Sequence, residues 1–284
     1  MGQRRPHRRL RGCRLAALPP GGAMMAGKTA GRYVIRSLSM SPHRCKGEPT
    51  MKRILYLAGP FLLAALIAAC SGRGASVPTV TLGHAPWRDG ERLTYNIVDR
   101  NGSTLGTSEF RLAQEGDGWQ LTATDKAGQL DQTATVRLDG STLKPLSKEK
   151  TIHRAGTDAT LKITYSAGKV QINAVVNGKE QNVSIDMPAD GLENDQLLMT
   201  LRALPFAQGY DGRLTDVVPD TASKVPTTVR VASQEQVTTP AGTFTAWRVE
   251  LDFGQAKQTV WYAVEAPHAM VQYDNGTTRL VLAQ

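Results

Sequence analysis

Hydrophobic and polar residues alternate with a period of two through most of the chain after residue 89. Leu93, Tyr95 and Ile97 are each separated by a polar residue. The alternation recurs in the segments 119–124, 161–165, 170–174, 229–231, 247–253, 260–264, 268–273 and 280–282. Such a pattern is typical of β-strands that bury one face.

Turn signals that contain glycine separate these segments. They are Asn101-Gly102, Gly116-Asp117-Gly118, Asp139-Gly140, Ala167-Gly168, Asn177-Gly178, Thr239-Pro240-Ala241-Gly242 and Asn275-Gly276. Spacings of roughly 8 to 20 residues between many of these turns predict a meander of about 13 or 14 antiparallel strands.

One segment has helical periodicity instead. Leucines recur on one face at i, i+4 and i+7, namely Leu197, Leu201 and Leu204. Asp190 or Asn194 can cap the start, Arg202 suits the last turn, and Pro205 ends it. The pattern predicts one short α-helix over about 193–204.

These elements predict a mostly β fold: a large curved antiparallel sheet or an incompletely closed β-barrel, with the helix packed against it. Beyond about eight strands, a curled sheet becomes too wide inside for side chains to fill. An apolar cavity is therefore one interpretation of the interior, and an ordinary filled core is the other. The side chains that could line a cavity are Tyr95, Trp119, Tyr165, Leu197, Leu201, Trp247 and Trp261.

A different pattern precedes the β region. The basic start Met51-Lys52-Arg53 leads into an apolar run over residues 54–69, which ends at Cys70. This is the layout of an export signal, predicted as a signal helix over 51–69. A membrane-spanning helix needs roughly 20 apolar residues, whereas this run is shorter and contains Gly59-Pro60.

The end of that run, Ile67-Ala68-Ala69-Cys70, resembles the lipobox of bacterial lipoproteins, whose cysteine carries a diacylglyceryl group. The resemblance implies a mature protein anchored to a membrane through Cys70. Ser71 follows, where an Asp commonly favours inner-membrane retention, so the periplasmic face of the outer membrane is the implied location. Several acyl chains give stable anchoring where one gives marginal binding. Residues 70–88 would form a flexible tether to a β domain over 89–284.

The distribution of charge argues against a nucleic-acid partner. The chain has 34 Lys and Arg and 25 Asp and Glu, a net charge of +9. Residues 1–70 hold 13 of the basic residues and one acid, so the remainder, with 21 basic and 24 acidic residues, is mildly acidic. Residues 1–50 precede the signal and lack apolar periodicity. We interpret them as a disordered, over-long gene start, with a basic arm as the alternative.

A nucleotide-binding motif match occurs in this early region and is not accepted. Residues 22–29, from Gly22 to Thr29, fit G-x-x-x-x-G-K-[ST]. That loop works between a buried strand and a helix, and the preceding residues 14–20 are too short and too basic for such a strand. We therefore predict no nucleotide partner.

Candidate catalytic and metal-ligating residues are sparse. The cysteines are Cys13, Cys45 and Cys70, so the β domain has no thiol nucleophile and no disulfide. Its histidines, His84, His153 and His268, have no second ligand at metal-binding spacing. Glu193 and Asp195 suit a helix N-terminus and lack the spacing of an ion-binding loop. The sequence thus predicts no metal, no cofactor and no enzymatic activity.

Several short motifs occur in an order that resembles a bacterial family of exported β-rich proteins, known only as domain of unknown function DUF3108. They are Gly90-Glu91-Arg92-Leu93-Thr94-Tyr95, Gly106, the helix before Pro205-Phe206, Thr239-Pro240-Ala241-Gly242-Thr243-Phe244, and Trp261-Tyr262. The resemblance covers about residues 89–284. It departs at His268-Ala269-Met270-Val271, where family members often have a Pro-Val pair. It implies a fold similar to the half-barrels of lipoprotein-localisation factors and carries no established activity.

Two functions follow as hypotheses. The first is a lipoprotein that binds an apolar or lipid-like ligand in the concave face of its sheet without catalysis. The alternative is a structural or protein-interaction module of the envelope with a filled core. A hydrolase of envelope polymers is a third, weaker hypothesis, which requires a cleft with two convergent carboxylates or a histidine of perturbed pKa.

Overall fold

The computed structural model describes residues 77–166 and 168–284. The signal segment, the lipobox with Cys70 and the motif at 22–29 lie outside these residues, and their predictions stay predictions. The strands are β1 Glu91–Val98, β2 Thr104–Glu115, β3 Gly118–Ala127, β4 Leu130–Leu138, β5 Pro145–Arg154, β6 Thr157–Ser166, β7 Lys169–Val176, β8 Lys179–Asp186, β9 Gly191–Glu193, β10 Asp211–Val218, β11 Ser223–Thr239, β12 Gly242–Asp252, β13 Lys257–Ala263, β14 Met270–Asp274 and β15 Arg279–Leu282; helix α1 is Asn194–Thr200.

All fifteen strands form a single sheet. Its order is β8-β7-β6-β5-β4-β3-β2-β1-β15-β14-β13-β12-β11-β10-β9, and among these strands the two ends, β8 and β9, do not pair with each other. Neighbouring strands are antiparallel, except that β9 runs parallel to β10. The predicted mostly β fold with an unclosed antiparallel sheet is confirmed, with slightly more strands than predicted.

The predicted turns lie between strands, although Ala167 is outside the described residues. Asn177 and Gly178 form the two-residue loop between β7 and β8 with φ of 49° and 76°. Positive φ at both positions is the requirement of a type I′ hairpin, which explains the Asn-Gly pair.

The alternation of apolar and polar residues separates the two faces of the sheet. In β6, Leu161 and Ile163 are buried while Lys162 and Thr164 are exposed. The outer face is polar: the hydroxyls of Thr124 and Thr133 lie 3.2 Å apart across β3 and β4. The apolar inner face is therefore the concave one that carries the core.

The core shows how strongly the sheet curls. Val217 of β10 packs in one apolar cluster with residues of β6 and β7. These strands belong to opposite ends of the strand order, so the two ends must face each other across the concave side. Curling of this kind is expected of a twisted sheet with so many strands.

Helix α1 lies on the concave face and agrees with the predicted segment. It continues into a 3-10 turn over Leu201–Ala203, ahead of Pro205. The N-cap differs from the expectation: Glu193 accepts a hydrogen bond from the Gln196 amide at 3.1 Å. The residues expected there bind β10 instead, since Asp190 accepts from Thr215 and Asn194 donates to Asp216.

Within the described residues, no helix is both long enough and apolar enough to cross a membrane.

Gly106 gives a test of how closely the strands pack. A Cβ at this position would lie 1.9 Å from the Lys126 carbonyl oxygen on β3. We expect Gly106→Ala to lower the free energy of unfolding by about 2 kcal/mol or more, because one of the paired strands would have to move. Urea denaturation measures this change.

The matched control is Gly83→Ala, whose Cβ would meet the Ala203 carbonyl oxygen at an ordinary 3.4 Å. This control should stay within about 0.5 kcal/mol of the wild type. Equal losses in the two variants would contradict the close approach at Gly106.

Candidate functional site

Two aromatic side chains, one just before β1 and one on β13, donate hydrogen bonds to backbone carbonyls of α1, and a third joins two strands. The Trp87 indole donates to the Met199 carbonyl at 3.1 Å, and the Tyr262 hydroxyl donates to the Leu198 carbonyl at 2.7 Å. The Tyr95 hydroxyl donates to the Met270 carbonyl at 2.8 Å. These contacts fill the space between helix and sheet with side chains whose polar ends are bonded to protein.

The residues predicted to line a cavity lie in different surroundings. Tyr95, Leu197 and Leu201 are at most 2% exposed and belong to the main core cluster. Tyr165 belongs to the second cluster, together with Val217.

The three tryptophans of that set are only partly buried. Trp119 meets Trp87 edge to face at 5.4 Å, and Trp247 stacks on Phe206 at 6.2 Å between ring centroids. Trp261 donates to the Glu235 carboxylate and precedes the fully buried Tyr262, so it points to the other face of the sheet. The structure does not bring the seven residues around a single space.

Two open cavities of the described residues lie away from the space between α1 and the sheet. One, of about 640 Å³, is a groove on the outer face of β2 and β3, lined by Thr107, Glu109, Arg111, Ala113, Gln120, Thr122, Thr124 and Lys126. The other, of about 350 Å³, lies between residues 81–86 and 202–205, beside His268.

The most unusual feature of the concave face is a group of charges around two buried lysines that we call the ion cluster, made of Lys148, Lys150, Glu193, Asp195 and Asp220. The Lys148 ammonium lies 2.7 Å from a Glu193 oxygen and 3.1 Å from Asp220. The Lys150 ammonium lies 2.6 Å from Asp220 and 3.1 Å from Asp195. The cluster thus joins β5 to the start of α1 and to the turn after β10.

Strand alternation explains why two lysines point inward. Lys148 and Lys150 have the same parity as Ile152 on β5, and they pair with Ile163 and Leu161 on β6. Both lysines are at most 6% exposed at the side chain. A buried ammonium group is costly unless it is paired, so the acids opposite are a structural necessity.

The ion cluster contains three acidic residues and two lysines, and its burial and ion pairs shift the pKa values of these groups. Burial raises the pKa of Glu193 to about 7, although Lys148 opposes the shift. Burial would raise the pKa of Asp195, but Lys148 and Lys150 together lower it to about 2. Burial lowers the pKa of Lys148, and the nearby acids outweigh it, leaving this pKa well above its usual value. Both ammonium groups are therefore held charged.

Two polar groups beside the cluster are incompletely satisfied. Asp216 accepts from Asn194 at 2.9 Å with one oxygen, while its buried Oδ1 has no hydrogen-bond partner among the described residues. Burial raises the pKa of Asp216 to about 6. The buried Tyr165 hydroxyl also lacks a partner within the described structure.

A second buried charge fixes the other end of the helical segment. Arg202 is fully buried and donates to the carbonyls of Pro267 and His268, and its guanidinium lies 2.7 Å from a Glu91 oxygen. It therefore ties the segment after α1 to β1 and to the loop before β14. From sequence, Arg202 was assigned only a place in the last helical turn.

The chemistry available to these residues is limited. The pKa values of Lys148 and Lys150 are raised, whereas an amine nucleophile needs a lowered one. In the described residues, no group of three or more His, Cys, Asp and Glu side chains is placed to hold a metal ion. His153 is exposed beside Asp158, as expected of an outward strand position, and His268 bonds the Ala263 carbonyl at 3.0 Å.

Sequence reasoning missed the ion cluster. Glu193 and Asp195 were assigned to the helix N-terminus, which is correct but incomplete. The available signal was the parity of Lys148 and Lys150 with Ile152, which places two lysines on a face otherwise reserved for apolar residues.

A family comparison identifies the chain. Residues 92–282 match the family described as "Protein of unknown function (DUF3108)". The chain belongs to the DUF3108 family. The match covers two-thirds of the sequence, nearly the whole sheet, and confirms the resemblance found in the sequence motifs. Among curated proteins, none matches this DUF3108 chain.

Similar solved structures are distant. A β-barrel-like DUF1849 protein from Brucella abortus has 13% identity and a TM-score of 0.46, covering 67% of this chain and 94% of its own. A predicted lipoprotein from Parabacteroides distasonis has 11% identity and a TM-score of 0.29, with coverages of 73% and 98%. A predicted exported protein with a YmcC-like fold from Bacteroides fragilis has 14% identity and a TM-score of 0.29, with coverages of 72% and 99%.

The ion cluster predicts a large cost for removing one lysine. We expect Lys148→Met to lower the free energy of unfolding by about 3 kcal/mol at neutral pH, because Glu193 would remain buried without its nearest ammonium group. Adding Glu193→Leu should restore part of the loss. Chemical denaturation of the full chain measures both changes.

The control is Lys169→Met, which removes a surface ion pair with Asp186 whose side chains are more than half exposed. Its cost should stay below about 1 kcal/mol. If Lys148→Met costs no more than this control, the cluster does not connect the ends of the sheet.

The raised pKa of Glu193 predicts the direction of a pH dependence. In the folded state its pKa is about 7, against an ordinary value of 4.5 for a glutamate in an unfolded chain. The folded state therefore binds the proton more tightly, so this contribution is fully present below pH 4.5 and is lost as the pH rises towards 7. The raised pKa of Asp216 also makes stability fall as the pH rises, here between pH 3.8 and about 6.

Denaturation midpoints measured across this range should show stability falling as the pH rises. Glu193→Gln should flatten the upper part of the curve, since the glutamine does not titrate. An unchanged slope in this variant would refute the assignment to Glu193, while Asp216→Asn tests the lower part separately.

Proposed function

We propose that this DUF3108 protein is a non-catalytic protein-interaction module of the cell envelope, anchored to a membrane through a diacylglyceryl group on Cys70. The observation that supports this function is the filled concave face. Tyr95, Leu197 and Leu201 are buried there against protein atoms. With the interior occupied, contact with other molecules is left to the surface.

An apolar ligand in the concave face is the competing function. Such a ligand would gain about 25 cal/mol for each Å² of apolar surface it buries. To enter, it would have to displace side chains that already bury equivalent surface, so the exchange would bring little net gain. The filled interior therefore favours the interaction module.

The chemical state of the ion cluster supports a non-catalytic function. Lys148 and Lys150 are held as ammonium groups by the acids around them, and the domain contains no cysteine. An envelope hydrolase needs a group that accepts or donates a proton at an open cleft. Glu193, whose pKa is near neutrality, is fully buried and bonded to Lys148 and the Gln196 amide.

The membrane location rests on the sequence before residue 77. Lys52 and Arg53, the apolar run after them and Ile67-Ala68-Ala69-Cys70 support export and lipidation. Ser71 supports the periplasmic face of the outer membrane as the destination. Residues 70–77, which precede the hydrogen bonds of Pro78 and Val80 to Arg213, would keep the sheet within roughly 15 Å of the bilayer, by the dimensions of a flexible linker.

One mass measurement tests both parts of this function. The full chain is produced in a Gram-negative bacterium, purified in mild detergent and analysed by native mass spectrometry. We expect a chain that begins at Cys70 and carries covalent acyl groups, with no further lipid bound at stoichiometric amount. Cys70→Ser should abolish the acyl mass.

Two results would contradict the proposal. A noncovalent lipid retained one to one through detergent exchange would favour the apolar-ligand function. An unprocessed and unmodified wild-type chain would remove the membrane anchor.

A further inference from the structure

The two ends of the sheet differ in whether other parts of the chain cover their edges. On the β9 side, the outer edge of β10 is covered by β9 at Thr215–Val217 and by the N-terminal segment near Arg213. There the Arg213 amide donates to the Pro78 carbonyl, and the Val80 amide donates to the Arg213 carbonyl, both at 2.8 Å. That edge is therefore occupied by the chain itself.

The β8 edge is open in the described part of the chain. Strand β8 pairs only with β7, and seven of its eight side chains are exposed. Its pairing shows no bulge and it contains no proline, and its one inward-facing charge, Lys179, lies at the end of the strand next to the Asn177-Gly178 turn. Proteins usually protect an edge strand with such features, and a long regular edge without them offers backbone groups to another strand.

The inner face also ends abruptly at β8. Ile163, Ile172 and Val183 form one cross-strand row over β6, β7 and β8. Their exposed fractions rise from 2% through 5% to 41%. A strand added beyond β8 would continue this row and cover Val183 with an aliphatic side chain.

A second copy of the chain fits this edge poorly. Two β8 strands can pair antiparallel with inner-face residues opposite each other. Two such registers pair the strands near their midpoints. If Val183 meets its own copy, Glu180 lies opposite Asp186, both acidic. If Asn182 meets its own copy, Val183 lies opposite Gln181 and Ile185 opposite Lys179, so apolar residues meet polar ones.

We propose that β8 is a docking edge for an extended segment of a different protein, which adds to the sheet as a sixteenth strand. This inference rests on the proposed function and names its binding surface. The segment would place aliphatic residues opposite Val183 and Ile185 and a basic residue opposite Glu180. Glu180 makes no ion pair within the described residues, so it supplies the charge complementarity. Backbone hydrogen bonds supply affinity, and the alternating side chains supply selectivity.

Selection from a displayed library of random decapeptides on the immobilised full chain tests this docking. The retained peptides should alternate aliphatic and polar residues and carry Lys or Arg at the position facing Glu180. Val183→Lys should weaken their binding by about tenfold or more, because an inward charge would lie in the new seam. Glu180→Lys should select against the basic residue.

Leu146→Lys is the matched control. Leu146 is also an exposed aliphatic residue, at 50%, but it lies on β5, three strands inside the β8 edge. Peptide binding should be unchanged in this variant. Hydrogen exchange of the full chain with a selected peptide should show slowed amides within Lys179–Asp186 and little change elsewhere.

Several outcomes would overturn the inference. They are no enriched peptides, enriched peptides that bind Val183→Lys as well as the wild type, or protection that appears away from β8. A concentration-dependent dimer abolished by Val183→Lys would assign the edge to a second copy instead. If no peptide docks at β8 and native mass spectrometry finds no bound lipid, the docking edge is refuted and the proposed function stands. If a lipid is bound and peptides still dock at β8, the filled interior is refuted and the docking edge stands.

Discussion

The burial of two lysines on the concave face is the constraint on which the rest of the structure depends. Lys148 and Lys150 occupy inward positions of β5 that strand alternation would give to apolar residues. Neither ammonium group can lose its water without acids close by. Those acids come from the start of α1 and from the turn after β10. The ends of the sheet are thus joined by charge rather than by backbone hydrogen bonds. Since a buried ion pair contributes little net stability relative to apolar packing, its main effect is to specify which elements meet.

The same constraint fixes the helix and thereby fills the interior. The ion cluster holds Glu193 and Asp195 at its beginning, and Arg202 with Glu91 holds the segment at its end. Between these points, Tyr262 and Trp87 donate hydrogen bonds to the carbonyls of Leu198 and Met199. A helix held in this way cannot move away from the sheet without breaking buried ion pairs. The side chains of the interior are therefore used for packing, which supports the proposal that recognition uses the outer face and the edges.

Sequence reasoning predicted what depends on neighbouring residues. Asn177-Gly178 specified a tight hairpin because two adjacent positive φ angles suit few other residues, and the leucines around Leu197 specified the helix through their spacing. Lys148 and Glu193 are 45 residues apart, and nothing local shows that they meet. The N-cap illustrates the same limit. Asp190, Glu193 and Asn194 are all capable caps, and β10, far along the chain, engages Asp190 and Asn194 and leaves Glu193.

The position of the ion cluster also explains why one edge of the sheet is open. The cluster joins the opposite end to β5, three strands inside the β8 end of the strand order. Strands β6, β7 and β8 therefore extend past the junction. Val217 of β10 lies beneath β6 and β7 and completes their core. Nothing in the described chain covers Val183 of β8, so burial decreases along the row from Ile163 to Val183. A barrel closed by backbone pairing between β8 and β9 would have no such edge, because both strands would use their hydrogen-bonding groups in the seam. Joining the ends through charges at β5 leaves β8 regular, exposed and unpaired on one side, and this is the geometry that strand addition requires.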